Sequence, residues 1–222
     1  MSDSIRILST KKLLPNQKQY LLNAGFSVVE ADFISTKPVA FELKNVNDTL
    51  IFTSQNGVES ILKHPKINEL KSKDVFCVGI KTKNLLEANG FNVVAHTGYA
   101  EDLAEIITLV YPNNQYTFFS GNLRRDTLPE ALKEAEVVFN EITVYETVLT
   151  PQRMDIKPDG ILFFSPSGVE SYLKENIISK EYAFCIGNTT AEAANRLGIK
   201  NIIIANQPTI ENTIIQCINE FK

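Results

Sequence analysis

Short apolar runs recur along the chain, each followed by a polar turn and then by a segment in which apolar residues return every three or four positions. Ile5-Arg6-Ile7-Leu8 predicts a strand, and a helix follows from about Leu14 to Ala24 with Leu14, Leu21 and Leu22 inward and Gly25 closing it. Phe26 to Ile34 predicts a second strand, and Thr36-Lys37-Pro38 then breaks the pattern, as residues before proline tend to do. Next come the strand Leu50 to Thr53, the helix Asn56 to Lys63, the strand Val75 to Val78, and the helix Thr82 to Asn89 ended by Gly90. The strand Asn92 to Ala95, helix Ala100 to Leu109, strand Tyr116 to Phe119, helix Leu128 to Ala135 and strand Val137 to Val144 follow. The remainder predicts the strand Gly160 to Phe164, helix Ser167 to Glu175, strand Ala183 to Ile186, helix Thr190 to Leu197 closed by Gly198, strand Asn201 to Ala205, and a last helix from Thr209.

The pattern is written twice. Phe52-Thr53-Ser54-Gln55-Asn56-Gly57-Val58-Glu59-Ser60 returns as Phe163-Phe164-Ser165-Pro166-Ser167-Gly168-Val169-Glu170-Ser171, and the offset of 111 also pairs Leu62-Lys63 with Leu173-Lys174. The chain is 222 residues long, so the offset is half of it, and repetition on that scale implies two copies of one domain. Ile7-Leu8-Ser9 matches Phe118-Phe119-Ser120 at the same offset. The N-terminal strands therefore complete the C-terminal copy. Domain one is expected to be discontinuous, residues 1–36 plus 150–222, with residues 40–146 inserted as domain two. The crossings fall near 36–40 and 145–151 and make a two-stranded hinge. Apolar strands alternating with amphipathic helices predict an α/β fold. Each domain is expected to be flavodoxin-like, a five-stranded parallel sheet with helices on both faces.

Composition narrows the chemistry. Apolar residues are 44% of the chain, enough for two cores of about 110 residues each. No run approaches the roughly 20 apolar residues that span a bilayer, and Met1 to Arg6 lacks a signal-peptide layout, so the expected location is cytoplasmic, without membrane contact. Cys77, Cys185 and Cys217 read as core thiols. His64 and His96 have no partners at ligand spacing, which argues against a metal site or a Ser-His-Asp triad. The formal charge of −4 argues against nucleic acid.

In open parallel sheets a ligand lies beyond the carboxyl ends of the strands, where helix N-termini present unpaired amides. The Ser-, Thr- and Gly-rich loops fall there: Ser54 to Gly57, Gly79 to Thr82, Ser120 to Asn122, Ser165 to Gly168 and Gly187 to Thr190. Gly79-x-x-Thr82 and Gly187-x-x-Thr190 are a second repeat, offset by 108. A lone Ser or Thr at a helix start is commonly just an N-cap, but two matched sets point to a cleft lined by amides and hydroxyls. Glu59 and Glu170 sit inside helices and read as solvated. Arg124 and Arg125, beside Gly121-Asn122, are placed to clamp a carboxylate or to lie on an exposed face. Tyr145, at a crossing, either donates a phenolic proton into the cleft or packs in the hinge.

These motifs carry a family resemblance. Phe163 to Gly168, Gly121-Asn122-Leu123-Arg124-Arg125 with Leu128-Pro129, Thr143-Val144-Tyr145-Glu146-Thr147, and Ile186-Gly187-Asn188-Thr189-Thr190-Ala191 together resemble uroporphyrinogen-III synthase, in order over nearly the whole chain. The resemblance implies a lyase of tetrapyrrole (haem) biosynthesis that works without a cofactor. Linear hydroxymethylbilane loses its hydroxyl as water, ring D inverts through a spiro intermediate, and the macrocycle closes as uroporphyrinogen III. It implies Tyr145 as the catalytic residue assisting departure of the hydroxyl. It also implies Ser54, Thr82, Ser165 and Thr190 as polar groups lining the cleft, and the loop reading adds Gly57, Gly121, Asn122, Arg124, Ser167, Gly168 and Thr189 as substrate-binding candidates. Where some members carry a Lys five residues before the equivalent of Gly187, this chain has Tyr182. The implied partners are the linear tetrapyrrole polycarboxylate and, transiently, the preceding enzyme of the pathway, with the chain itself a monomer. A substrate with eight carboxylates meets a protein of charge −4, so oriented amides and a few local cations must hold it. The rival reading is a non-enzymatic two-domain anion- or effector-binding regulator, which has no special need of Tyr145. A flavin-binding flavodoxin-like module is disfavoured by the absence of Trp and by the two equal copies.

Overall fold

The structure, a computed structural model, describes residues 4–222; Met1 to Asp3, read above as the start of domain one, lie outside them. In chain order the elements begin with β1 (Arg6–Ser9), α1 (Pro15–Asn23), β2 (Ser27–Glu30), β3 (Ile34–Pro38), β4 (Thr49–Phe52), α2 (Gln55–Leu62), β5 (Asp74–Val78), α3 (Ile80–Ala88), β6 (Asn92–Thr97) and α4 (Ala100–Val110). They continue with β7 (Tyr116–Gly121), α5 (Thr127–Glu134), β8 (Phe139–Leu149), β9 (Gly160–Phe163), α6 (Pro166–Leu173), β10 (Tyr182–Cys185), α7 (Asn188–Arg196), β11 (Ile202–Ile204) and α8 (Ile210–Phe221). Residues up to Ser35 together with Val148–Lys222 form one compact unit, and Thr36–Thr147 form the other.

The first unit holds a five-stranded sheet in the order β11-β10-β9-β1-β2, with parallel pairing throughout. The second holds β6-β5-β4-β7-β8, also parallel, with β3 added beyond β8. Both sheets thus share one order. Numbered in chain order, the first unit runs 2-1-3-4-5, as in flavodoxin, and the second, apart from β3, runs 3-2-1-4-5, as in dinucleotide-binding halves; the two coincide when the first unit is numbered from β9. The α/β layering and the five strands of the first unit match the expectation; the strand order and the strand count of the second unit do not. The sixth strand arises because the stretch read as one strand from Phe26 to Ile34 ends at Glu30, and Thr36-Lys37-Pro38, read as a break, continues from Ile34 as an edge strand beside β8, where a proline's missing donor is tolerated. In the same region β8 runs eleven residues, well past Val144, and both crossings between units fall inside β3 and β8.

Strand alternation divides each core in two. In β9, Ile161 and Phe163 pack with Val169 and Tyr172 of α6 and Ala191 and Ala194 of α7, while Leu162 turns to Leu21 of α1 and Ile214 and Cys217 of α8. In β4, Leu50 and Phe52 pack with Val58, Ile61 and Leu86 of α2 and α3, while Ile51 joins Leu103, Ile107, Leu128 and Leu132 of α4 and α5. Both faces are covered by helices, which is why these strands are apolar at every position. Each fully buried Leu, Ile or Phe contributes about 1.5–3 kcal/mol. The three thiols belong to these cores, and burial pushes Cys77 up to about 11 and Cys185 up to about 12. One helix departs from its expected face. Of Leu14, Leu21 and Leu22, only Leu21 is buried; Leu14 and Leu22 face solvent, and the inward position is taken by Gln17, whose amide donates to Glu211.

Candidate active site

Three loops follow the central strands of each sheet at their carboxyl ends, and the residues singled out in the sequence sit there. In the second unit the β4 end carries Ser54, the N-cap of α2, whose hydroxyl accepts the Asn56 amide at 3.2 Å. In the first unit the β9 end carries Ser165, the N-cap of α6, whose hydroxyl accepts the Gly168 amide at 3.1 Å and lies 3.1 Å from the Ser167 hydroxyl. These two serines are engaged as caps.

The neighbouring helices are built differently. α3 begins at Gly79 and α7 at Gly187, and no side chain caps either start; in α7 the Thr190 N–H donates back to the Gly187 carbonyl at 3.1 Å. Thr82 and Thr190 lie in those first turns, buried at 4% and 1% exposure. A Cβ built on Gly79 would sit 3.7 Å from the Thr82 hydroxyl, so that hydroxyl turns back to the helix start. Each of these helices therefore sets a threonine hydroxyl beside an N-terminus that no side chain caps, where the helix dipole favours a carboxylate. Thr189 sits in the same turn of α7 and is half-buried.

The strand order reverses between β4 and β7 in the second unit, the place where open sheets form a ligand crevice. Tyr145 occupies this point. The β7–β8 ladder shifts register between Ser120 and Gly121, so that Ser120 faces Thr143 but Gly121 faces Tyr145. A Cβ on Gly121 would lie 2.4 Å from Tyr145 Cζ and 2.8 Å from its hydroxyl oxygen, and one on Gly57 would lie 3.9 Å from the ring. Two glycines thus make the floor on which the ring rests. Asn122, exposed just beyond, donates its backbone N–H to the Tyr145 carbonyl at 3.3 Å, and its side-chain oxygen accepts the Thr147 N–H at 2.8 Å. At the equivalent reversal in the first unit, between β9 and β1, the buried Thr10 hydroxyl donates to the Leu162 carbonyl at 2.8 Å, and a Cβ on Gly168 would come within 3.7 Å of it. Thr10 was missed in the sequence; the matching position after Ser120 is Gly121, so the repeat masked it.

Arg124 is not free to clamp a ligand. Its Nε and a terminal nitrogen reach the two Glu141 oxygens at 2.6 and 2.8 Å, and it also pairs with Asp126. Its hydrogen bonds to Glu141 raise the guanidinium above its ordinary range. Burial works to raise the Glu141 carboxyl, but the bonds from Arg124 and from Ser120 Oγ at 2.6 Å outweigh it and hold the carboxyl below its usual value. Sequence reasoning missed Glu141 because it lies 17 residues from Arg124 on another strand.

Other candidates are accounted for structurally. Glu59 is exposed, and Glu170 lies 3.7 Å from Arg196. His64 stacks on Phe41 with ring centres 5.0 Å apart, and no group of His, Cys, Asp and Glu among the described residues is placed to hold a metal. Tyr182 opens β10 at its amino end and packs edge-on against Phe221, away from Gly187. No helix is long and apolar enough to cross a membrane among the described residues.

A family model described as "Uroporphyrinogen-III synthase HemD" matches residues 17–215. A uroporphyrinogen-III synthase of Chlorobaculum parvum is 31% identical over 209 residues, covering 81% of this chain and 83% of that protein. The Saccharomyces cerevisiae uroporphyrinogen-III synthase is 28% identical, covering 75% and 76%. Among solved structures, the uroporphyrinogen-III synthetase of Helicobacter pylori superposes with a TM-score of 0.74 at 21% identity over 97% of this chain and 99% of that one. A mutant uroporphyrinogen III synthase of Thermus thermophilus superposes at 0.67 and 15% identity over 98% of each. With most of its length matched by the family model and by a relative above 30% identity, this chain belongs to the uroporphyrinogen-III synthase family.

Proposed function

We propose that the chain closes linear hydroxymethylbilane to uroporphyrinogen III, with Tyr145 as the group that assists departure of the hydroxyl. The observation that supports this role is the seat of its ring on Gly121 and Gly57, at the strand-order reversal of a sheet in a member of the synthase family. The phenolic O–H hydrogen-bonds the leaving hydroxyl as the C–O bond breaks, so the oxygen departs as water and the bonding pair leaves with it. The electron-poor methylene carbon left behind is attacked by the substituted carbon of ring D to give the spiro intermediate; the bond from that carbon to the ring C methylene then breaks, the freed methylene bonds to the unsubstituted α-carbon of ring D, and the proton lost there as the ring regains aromaticity balances the one delivered to water. The rest of the task is positional: holding ring D so that this attack outruns direct closure.

In this reading the carboxylates go to the helix starts, Gly79 to Thr82 and Gly187 to Thr190, with further amides from Gly57 and Ser167, while Gly168 keeps the Ser165 loop closed through its own amide. Ser54 and Ser165 shape their loops as caps, and Arg124 acts through Glu141 rather than on the substrate. Each unit serves as a doubly wound ligand-binding domain. The reading takes the protein as a cytoplasmic monomer that meets the preceding enzyme transiently and needs no cofactor.

The test is to supply enzymatically generated hydroxymethylbilane and separate the uroporphyrin I and III isomers after oxidation. The expected result is isomer III with protein and isomer I without. Tyr145→Phe should lower turnover by about 10²-fold or more, the typical cost of removing a positioned acid, and by more than Thr82→Ala or Thr190→Ala. Dominance of isomer I in the presence of protein removes the cyclase assignment. A Tyr145→Phe enzyme with at least half the turnover leaves the assignment standing and removes the phenol's role.

A further inference from the structure

Past the register slip, the loop after β7 is tied to β8 through the side chain of Asn122. Asn122 lies one residue past Gly121, where the ladder has just slipped by one position to bring Tyr145 opposite Gly121. Its backbone N–H donates to the Tyr145 carbonyl at 3.3 Å, its Oδ1 accepts the Thr147 N–H at 2.8 Å, and its Nδ2 lies 3.4 Å from the Thr147 carbonyl. The side-chain amide thus imitates a peptide group and extends the ladder past the bulge. The backbone on either side of Tyr145's successor is held from one residue, while the ring is held from below by Gly121 and Gly57.

We propose that Asn122 is a positioning residue for Tyr145 and not a ligand for the substrate, the role its place in the loop first suggests. Its carbonyl oxygen fixes the Thr147 amide, which fixes the direction in which the strand carries Tyr145. A shift of about 1 Å at a reacting group costs roughly 10²-fold in rate, so loss of the clamp falls on kcat. The inference rests on the reading of Tyr145 as the group at the leaving hydroxyl.

Two substitutions separate the roles. Asn122→Asp keeps the acceptor for the Thr147 N–H and adds a negative charge; Asn122→Ala removes the acceptor. A positioning residue gives a kcat fall of about tenfold or more for Asn122→Ala with KM within about twofold, and recovery of most of kcat in Asn122→Asp. A residue that binds substrate carboxylates gives the opposite order, with Asn122→Asp the worse variant through a raised KM, and that order overturns the proposal. Adding Asn122→Ala to Tyr145→Phe should cost almost nothing further; an undiminished second loss overturns it as well. Amide hydrogen exchange at Thr147, followed in all variants, reads the clamp without activity. Exchange must quicken in Asn122→Ala and stay slow in Asn122→Asp, and unchanged exchange in Asn122→Ala refutes the clamp. If Tyr145→Phe alone keeps full turnover, the catalytic reading of the phenol fails instead, and the exchange result still decides whether Asn122 holds the strand.

Discussion

Gly121 has no room for a side chain because the Tyr145 ring occupies the space where one would stand, 2.4 Å from an added Cβ. Gly121→Ala should therefore cost stability by about 1–3 kcal/mol, the range for overpacking, and cut turnover as the ring is displaced. Gly98→Ala is the control, since nothing lies within 4 Å of its added Cβ. Thermal melts that show equal effects for the two would contradict the packing. Another residue is strained without being functional. Helices α1, α3 and α7 are followed by Gly25, Gly90 and Gly198 at positive φ, where a side chain is unwelcome. After α5 the same position holds Glu136 at φ 55. Glu136→Gly relieves about 1 kcal/mol of left-handed strain and returns about half of it through the more flexible unfolded chain, so a gain of about 0.5 kcal/mol is expected in urea midpoint measurements.

At the scale of elements, β7, β8 and the loop after β7 are knotted by Glu141, which accepts from Ser120 and from Arg124. Its carboxyl is held below the ordinary value in the folded protein. A depressed carboxyl stabilises the fold above its unfolded value, near 4.5, and that stability drains as pH falls through the lower folded value. The wild-type protein should lose stability steeply below about pH 4.5, and Glu141→Gln should be less stable at neutral pH with a flatter acid slope. Parallel slopes for the two proteins would show that Glu141 titrates as in the unfolded chain. Much of this layer was legible beforehand. The central strands are buried on both faces, so their apolar runs stand out, and the Ser and Gly positions that end them repeat. The edge strand β3 did not stand out, because Ser35-Thr36-Lys37-Pro38 is polar and half-solvated. α1 misled because Leu14 and Leu22 face solvent while the polar Gln17 is buried with Glu211 as its partner. Arg124 looked available because its partner comes from a distant strand, which no local pattern announces. The Tyr145 seat needed the register slip at Gly121, which is invisible without coordinates.

The two units repeat one strand order, yet only the second is continuous in sequence; the first is interrupted by it. The interruption is small in space. Where the chain leaves and re-enters the first unit, the Thr150 N–H donates to the Phe33 carbonyl at 2.9 Å, and the Thr150 hydroxyl and Gln152 amide both donate to the Asp32 carbonyl, at 2.8 and 2.9 Å. Ends this close can be joined by a short turn, and closing a short loop costs little compared with the core it completes. Replacing residues 36–147 by a turn of about four residues, within the usual range of hairpin loops, should leave a five-stranded unit that folds by itself. Cys185 and Cys217 are its reporters: both are fully buried, and burial raises both thiols, so each should resist a thiol reagent until the unit unfolds. Cys77 reports the other unit in the intact chain. The shortened protein is expected to show one cooperative thermal transition, with labelling of Cys185 and Cys217 beginning only across it. Immediate labelling of both at room temperature would mean that the first unit cannot hold its core without the second, and that the repeat describes sequence and topology but not independent folding.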